Sequence, residues 1–186
     1  MLAKRVQLLP VGKQWEYEVK FDGYRIEAIK NGAKVRLLSR RGNDFTKRFA
    51  KVVEAVSKIN ADSVLIDGEV VAVDEKGRPS FQVLQNRARL PAKFQLLYYA
   101  FDLLHLNGED LRRAPLKERR ARLEKTLKGT QVRFSSTLEG PMDVLTAVCG
   151  SMAWRELSRS GWTLLMNRVN EATPGESCRS SLGRSL

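Results

Sequence analysis

The chain has 186 residues with 33 Lys and Arg against 21 Asp and Glu, leaving a net charge of +12, and its 42% hydrophobic and 29% charged content excludes wholesale disorder. The longest apolar run, Leu96 to Phe101, is six residues, far below the ~20 of a membrane helix, and no apolar segment follows Met1-Leu2-Ala3-Lys4-Arg5, so a soluble, cytoplasmic chain without membrane contact is expected. Cys149 and Cys178 form no metal-spaced pair, and the charge points to a polyanionic partner, nucleic acid before lipid.

In chain order, Trp15, Tyr17, Val19 and Phe21 alternate with Glu16, Glu18 and Lys20, the period of two of a strand with one polar face. Asp22-Gly23 predicts a tight turn into a second strand over residues 24–30. Asn31-Gly32 predicts another turn and residues 35–39 a third strand, so the chain is expected to open on antiparallel hairpins. Phe49, Val52, Val53, Val56 and Ile59 recur at helical spacing and predict an amphipathic helix over 46–59. Val64-Leu65-Ile66, Asp67-Gly68-Glu69 and Val70-Val71-Ala72-Val73 then read as a buried strand pair or one bent strand. A short helix is expected over 80–86, a strand over 95–102, and a helix opened by Pro115 and closed at Gly129. Residues 132–134 read as a strand, and Pro141 as the start of a helix carrying Met142, Leu145 and Val148. From Cys149 periodicity fades, so residues 149–186 are expected to be a poorly ordered tail. Strands and helices together predict an α+β domain with antiparallel sheets.

Lys20 ends a strand beside a tight turn, with Glu18 on its face and Arg25 one strand away. A free lysine is only about one part in 1,000 neutral at physiological pH; burial or neighbouring cations would release its lone pair for attack on phosphorus. A solvated hairpin with an ordinary ion pair is the plain alternative. Glu69 shares parity with Leu65, Val71 and Val73 and so falls on an otherwise apolar face, where a carboxylate needs a metal ion, a ribose hydroxyl or a lysine, unless a bend at Gly68 turns it outward. Phe101 suits either a nucleobase stack or a core position. Ser39-Arg40-Arg41-Gly42-Asn43-Asp44 is a basic loop suited to phosphate or ribose, or simply a solvated turn. Arg112, Arg113, Arg119, Arg120 and Arg122 form a basic cluster suited to DNA phosphates or to a charged solvent face. His105 stands alone, so neither a zinc site nor a Ser/His/Asp triad has support. The phosphate-binding pattern G-x-x-x-x-G-K-[ST] is missing.

Taken together, residues 1–148 resemble the adenylation domain of ATP-dependent DNA ligases, most closely the bacterial multidomain end-joining type. The resemblance lies in Glu18-Val19-Lys20-Phe21-Asp22-Gly23-Tyr24-Arg25, the Ser39–Asp44 loop, Asp67-Gly68-Glu69 with its apolar strand, and the stretch from Tyr99 to Leu111. It implies an ATP-grasp-like nucleotidyltransferase fold, ATP and Mg²⁺ as cofactors, and nicked or broken duplex DNA as partner, with end-joining proteins nearby. It also implies roles: Lys20 as the nucleophile that takes AMP, Glu18 on the adenine amino group, Arg25 and Arg40 on the phosphate and ribose regions, Glu69 on ribose or metal, and Phe101 stacked on adenine. The family pattern continues with lysines that grip the triphosphate, whereas the last lysine here is Lys128 and Asn167 falls where one would stand. A truncated chain with impaired strand joining is therefore expected. A basic DNA-binding remnant without turnover, or a capping or RNA-ligase type nucleotidyltransferase, is the alternative.

Overall fold

A computed structural model describes residues 15–85, 91–138 and 162–168. In order they form β1 (Trp15–Phe21), β2 (Tyr24–Asn31), β3 (Lys34–Ser39), α1 (Ala50–Ser57), β4 (Ser63–Asp74), α2 (Phe81–Gln85) and β5 (Phe94–Leu106). There follow β6 (Glu109–Asp110), α3 (Leu116–Thr126), β7 (Arg133–Phe134), β8 (Thr137–Leu138) and β9 (Trp162–Arg168). A six-stranded sheet runs β3-β2-β4-β5-β6 with β7 also on β5, and a three-stranded sheet runs β8-β1-β9. All pairings are antiparallel except β5 with β7. This is the α+β architecture the sequence predicts.

β4 organises the large sheet. Its run of Val, Leu and Ile suits a pleated surface covered on both sides, and it forms one continuous strand rather than a pair. Strand alternation separates two faces. Ile66, Val70 and Ala72 share the main core with Ile26, Ala28, Tyr98 and Ala100; Phe49, Val52 and Val56, with Leu84 of α2 and Leu123 of α3, complete it. On the opposite face Val71 and Val73 meet Phe21, with Leu97 and Tyr99 packed against them. The Phe21 and Tyr99 rings stack with centroids 4.1 Å apart. Burying a phenylalanine is worth ~1.5–3 kcal/mol, and here that gain fastens the end of β1 to the large sheet.

Four sequence expectations are corrected. Asp22-Gly23 does not close a hairpin: all of β2 pairs with β4 on one side and most of it with β3 on the other, so β1 is excluded from that sheet and pairs with β8 and β9. The helix expected over 46–59 begins only at Ala50. The Thr46 hydroxyl accepts from the Leu37 N–H at 3.0 Å and the Thr46 N–H donates to Asp44 Oδ1 at 2.8 Å, which binds that stretch to β3 instead. β5 runs on to Leu106, with register shifts where Phe101 and Leu104 are left without partners on β4. In the tail expected to be poorly ordered, residues 162–168 form β9, paired along the full length of β1. The helix expected from Pro141 lies outside the described residues.

Candidate active site

The site lies on the face of the large sheet that receives Phe21. Arg25 and Glu69 are direct cross-strand neighbours, and Asp67 sits two residues back along β4 on the same side. Arg25 Nε donates to both Asp67 oxygens at 3.0 and 3.2 Å, and Nη2 donates to Oδ2 as well. Asp67 is only 6% exposed, while the Arg25 side chain keeps 32%. Burial works against the charged guanidinium, but hydrogen bonds and charge from Asp67, with Glu69 and Glu27 adding to them, raise its pKa above the ordinary value. The pair thus holds the Arg25 guanidinium charged and fixed in orientation.

Glu69 is half-buried, and its Oε1 accepts the Gly23 N–H at 2.9 Å. A bend at Gly68 does not turn it outward. Gly68 serves another purpose: a Cβ there would lie 2.5 Å from the Tyr99 carbonyl oxygen and 2.7 Å from the Tyr98 ring. Gly23 is tighter still, since a Cβ would lie 2.2 Å from the Val70 carbonyl oxygen and 3.0 Å from Glu69 Cγ. The turn between β1 and β2 therefore rests directly on β4, and Glu69 ties it down. Glu18 and Lys20 lie on β1, where Lys20 pairs with Thr163 and Glu18 with Leu165 and Thr137. Phe21, the residue after Lys20, anchors that strand end against Val71 and Tyr99.

Phe101 occupies the β5 bulge: Gly68 pairs with Ala100 and Asp67 with Asp102, leaving Phe101 between them. A bulge redirects its side chain out of simple alternation. The Phe101 ring is half-buried with the Arg25 guanidinium carbon 5.4 Å from its centroid, within cation–π range. Arg40 is exposed on the turn after β3, one residue beyond the last β2–β3 pair, Ile26 with Ser39, and so at the end of the sheet where Arg25 stands. That turn is closed by Ser39, which accepts the Gly42 N–H on its carbonyl at 2.7 Å and the Asn43 N–H on its hydroxyl at 3.1 Å. The strands thus bring Arg25, Asp67, Glu69 and Phe101 together and set Arg40 at their rim. Asp67 is the residue sequence reasoning missed, although its shared parity with Glu69 was a usable signal.

The sequence model of the ATP dependent DNA ligase domain matches residues 1–143. The chain belongs to that ligase family. It is 44% identical over 152 residues to the multifunctional non-homologous end joining protein LigD of Pseudomonas aeruginosa, covering 80% of this chain and 18% of that protein. A DNA ligase of Thermococcus onnurineus is 35% identical over 141 residues, covering 70% of this chain and 25% of that one. The ligase domain of Mycobacterium tuberculosis LigD superposes with a TM-score of 0.66 at 32% identity, covering 85% of this chain and 48% of the other. A mycobacterial DNA ligase D complexed with ATP and MES does so with a TM-score of 0.67 at 32% identity, covering 85% and 49%. The ligase-domain chain thus spans about half the length of these solved relatives.

Elsewhere in this ligase domain the basic cluster expected to meet DNA is largely committed to the fold. Arg119 and Arg120 are buried, at 3% and 5% exposure. Arg119 pairs with Asp102 at 2.7 Å, Arg112 pairs with Asp110, and Arg122 pairs with Glu109 and Glu118. Among the described residues no helix is long and apolar enough to cross a membrane, and no three His, Cys, Asp or Glu side chains gather to hold a metal ion. The carboxylates at the site are Glu69 and Asp67, the latter engaged by Arg25.

Proposed function

We propose that the chain is the adenylation module of an ATP-dependent DNA ligase of the end-joining type, bounded near residue 148, with residues 149–186 as a divergent continuation. The observation that carries this reading is the Arg25–Asp67–Glu69–Phe101 constellation beside the β1–β2 turn, in a chain that belongs to the ligase family. Lys20 is the nucleophile. Its amine attacks the α-phosphorus of ATP, the N–P bond forms as the bond to the bridging oxygen breaks, pyrophosphate leaves, and the amine proton passes to solvent. AMP then moves to a DNA 5′-phosphate, and a 3′-hydroxyl displaces it to join the strand.

Each neighbour has a task that its chemistry fits. Glu18 accepts from the adenine amino group, and Phe101 stacks on the base beside the Arg25 guanidinium that lies over its ring. Arg25 and Arg40 bind the phosphate and ribose regions, with the Asp67 pair fixing the Arg25 fork. Glu69 holds the turn through Gly23, and its carboxylate is the donor for ribose or Mg²⁺. One or two carboxylates plus substrate phosphates are the usual protein contribution to a Mg²⁺ site, so the donor set here fits. When bound, Mg²⁺ would neutralise charge developing on the triphosphate. The substrate is nicked or broken duplex DNA, met in the cytoplasm together with end-joining proteins. Residues 129–186 contain no lysine, so the cations with which the family grips the triphosphate are not supplied there, and nick joining by this 186-residue chain is impaired.

The test is transfer of label from α-³²P-ATP to protein. Wild type forms an acid-labile, base-stable adduct, and Lys20→Arg, which keeps the charge without a usable lone pair, forms none. An adduct of the same lability on the Lys20→Arg protein would overturn the assignment. Adding a nicked duplex with ATP reads the whole reaction; joining at rates comparable to those of full-length relatives would refute the impairment.

A further inference from the structure

The Phe101 bulge is gripped from behind by two neighbouring side chains of α3. On the β4 side Phe101 has no register partner. On the other side β7 pairs only with Tyr99 and Ala100, and that ladder closes where the Ser135 N–H donates to the Ala100 carbonyl at 2.8 Å. The Phe101 carbonyl lies just past this end. Arg120 takes the place of the missing strand: Nη1 donates to the Phe101 carbonyl at 3.2 Å, Nη2 donates to the Ser135 carbonyl at 2.6 Å, and the guanidinium carbon lies 5.0 Å from the Phe134 ring centroid. Arg119 grips the next residue. Its Nε and Nη2 donate to the two Asp102 oxygens at 2.7 and 2.9 Å, and Nη1 donates to the Ala114 carbonyl at 2.6 Å.

Burying charges is a costly way to stabilise a fold, and hydrophobic residues of similar volume commonly do as well. What two planar forks supply in addition is direction. We propose that Arg119 and Arg120 are positioning residues for the nucleotide: they fix the bulge so that the Phe101 ring is presented to the base. The proposal rests on the reading that Phe101 stacks on adenine, and it extends the binding apparatus to the far side of β5, into α3.

The test measures equilibrium binding of two probes to the full chain by calorimetry, without divalent cation so that no transfer occurs: ATP, and inorganic tripolyphosphate, which has no base. The ratio of the two affinities does not depend on the fraction of folded protein. Phe101→Ala checks the underlying reading and should lower the ratio about tenfold or more. An unchanged ratio, or a wild type that binds no ATP, overturns that reading and the proposal with it. Once Phe101→Ala shows its effect, Arg120→Lys should lower the ratio about fivefold with tripolyphosphate affinity held within about twofold. The double variant should be no worse than Phe101→Ala alone, because both act through one ring. Arg122→Ala, on the same helix but paired with exposed Glu109 and Glu118, should leave the ratio alone. Equal losses for both probes, no loss, or a loss that adds to Phe101→Ala would show a purely structural role and overturn the proposal. If Arg120→Lys fails to fold, Arg119→Lys carries the same test.

Discussion

Replacing Asp67 with asparagine keeps the size of the side chain and removes its charge, taking from the Arg25 guanidinium its principal counterion while Glu69 and Glu27 remain. Removing one member of a fully buried pair costs ~3–5 kcal/mol, whereas an exposed pair is worth ~0–1 kcal/mol. The pair here is asymmetric: Asp67 is 6% exposed, but the Arg25 side chain keeps 32%. A stranded Arg25 can therefore recover part of its hydration, and Asp67→Asn should cost about 2 kcal/mol. The converse change, Arg25→Met, strands the more buried charge and should cost more, about 3 kcal/mol. Urea unfolding followed by far-ultraviolet circular dichroism reads both. With a slope of ~1–3 kcal/mol per molar, the Asp67→Asn midpoint should fall by about 1 M at unchanged slope. The double variant should cost less than the sum, since the second change removes a charge the first has orphaned. A larger loss for Asp67→Asn than for Arg25→Met, or strict additivity, would refute the argument from burial.

Gly23→Ala forces a methyl group to within 2.2 Å of a backbone carbonyl; it should cost about 2–3 kcal/mol, and a loss below about 1 kcal/mol on urea unfolding would show that β4 yields to it. Hydrogen bonds from Arg112, then its charge, hold the Asp110 carboxyl down to about 2. Because the folded value lies below the unfolded value of about 3.9, this pair stabilises fully above about pH 4 and is lost as pH falls towards 2; a carboxyl NMR titration centred near 3.9 would contradict it. The +12 charge should make affinity for duplex DNA fall ~10³-fold or more between about 50 and 200 mM salt, with little dependence on sequence. A flat profile in filter binding would remove phosphate contacts from the account.

The sequence revealed the turns and faces of the first half of the chain because both are local. The turn expected at Asn31-Gly32 does close the β2–β3 hairpin, with Asn31 paired to Lys34 and Gly32-Ala33 between them, and the parity of Glu69 with Val71 and Val73 correctly placed a carboxylate beside an apolar cluster. Asp22-Gly23 misled because a dipeptide reports that the chain reverses, not which strand lies beside it. That choice was made by β4, some 40 residues away, which takes the edge of β2 that a hairpin would need. The bulge at Phe101 leaves no trace in composition, since it is a mismatch between two strands and neither alone encodes it. The buried arginines were legible and misjudged. Leu116 and Leu123, with Leu127 at the C-terminal cap, define the buried stripe of α3, and Arg119 and Arg120 stand three and four residues after Leu116, on that stripe rather than opposite it. A run of arginine looks like a DNA-facing surface until its helical phase is counted.

The strand that carries Lys20 is bordered by β8 on one side and β9 on the other, and its outermost pair, Trp15 with Arg168, joins residues 153 positions apart. At ~5–20 residues per second of synthesis, roughly 8–30 s separate the emergence of these two residues from the ribosome. During that interval β2, β3 and β4 can already pair, while β1 waits with an open edge. Contacts so distant along the chain slow folding, and an unpaired edge is the template on which strands from other chains add. The strand that carries Lys20 is therefore made well before its partner β9 and enclosed only afterwards, which leaves its edge dependent on a nascent chain being kept apart from its neighbours.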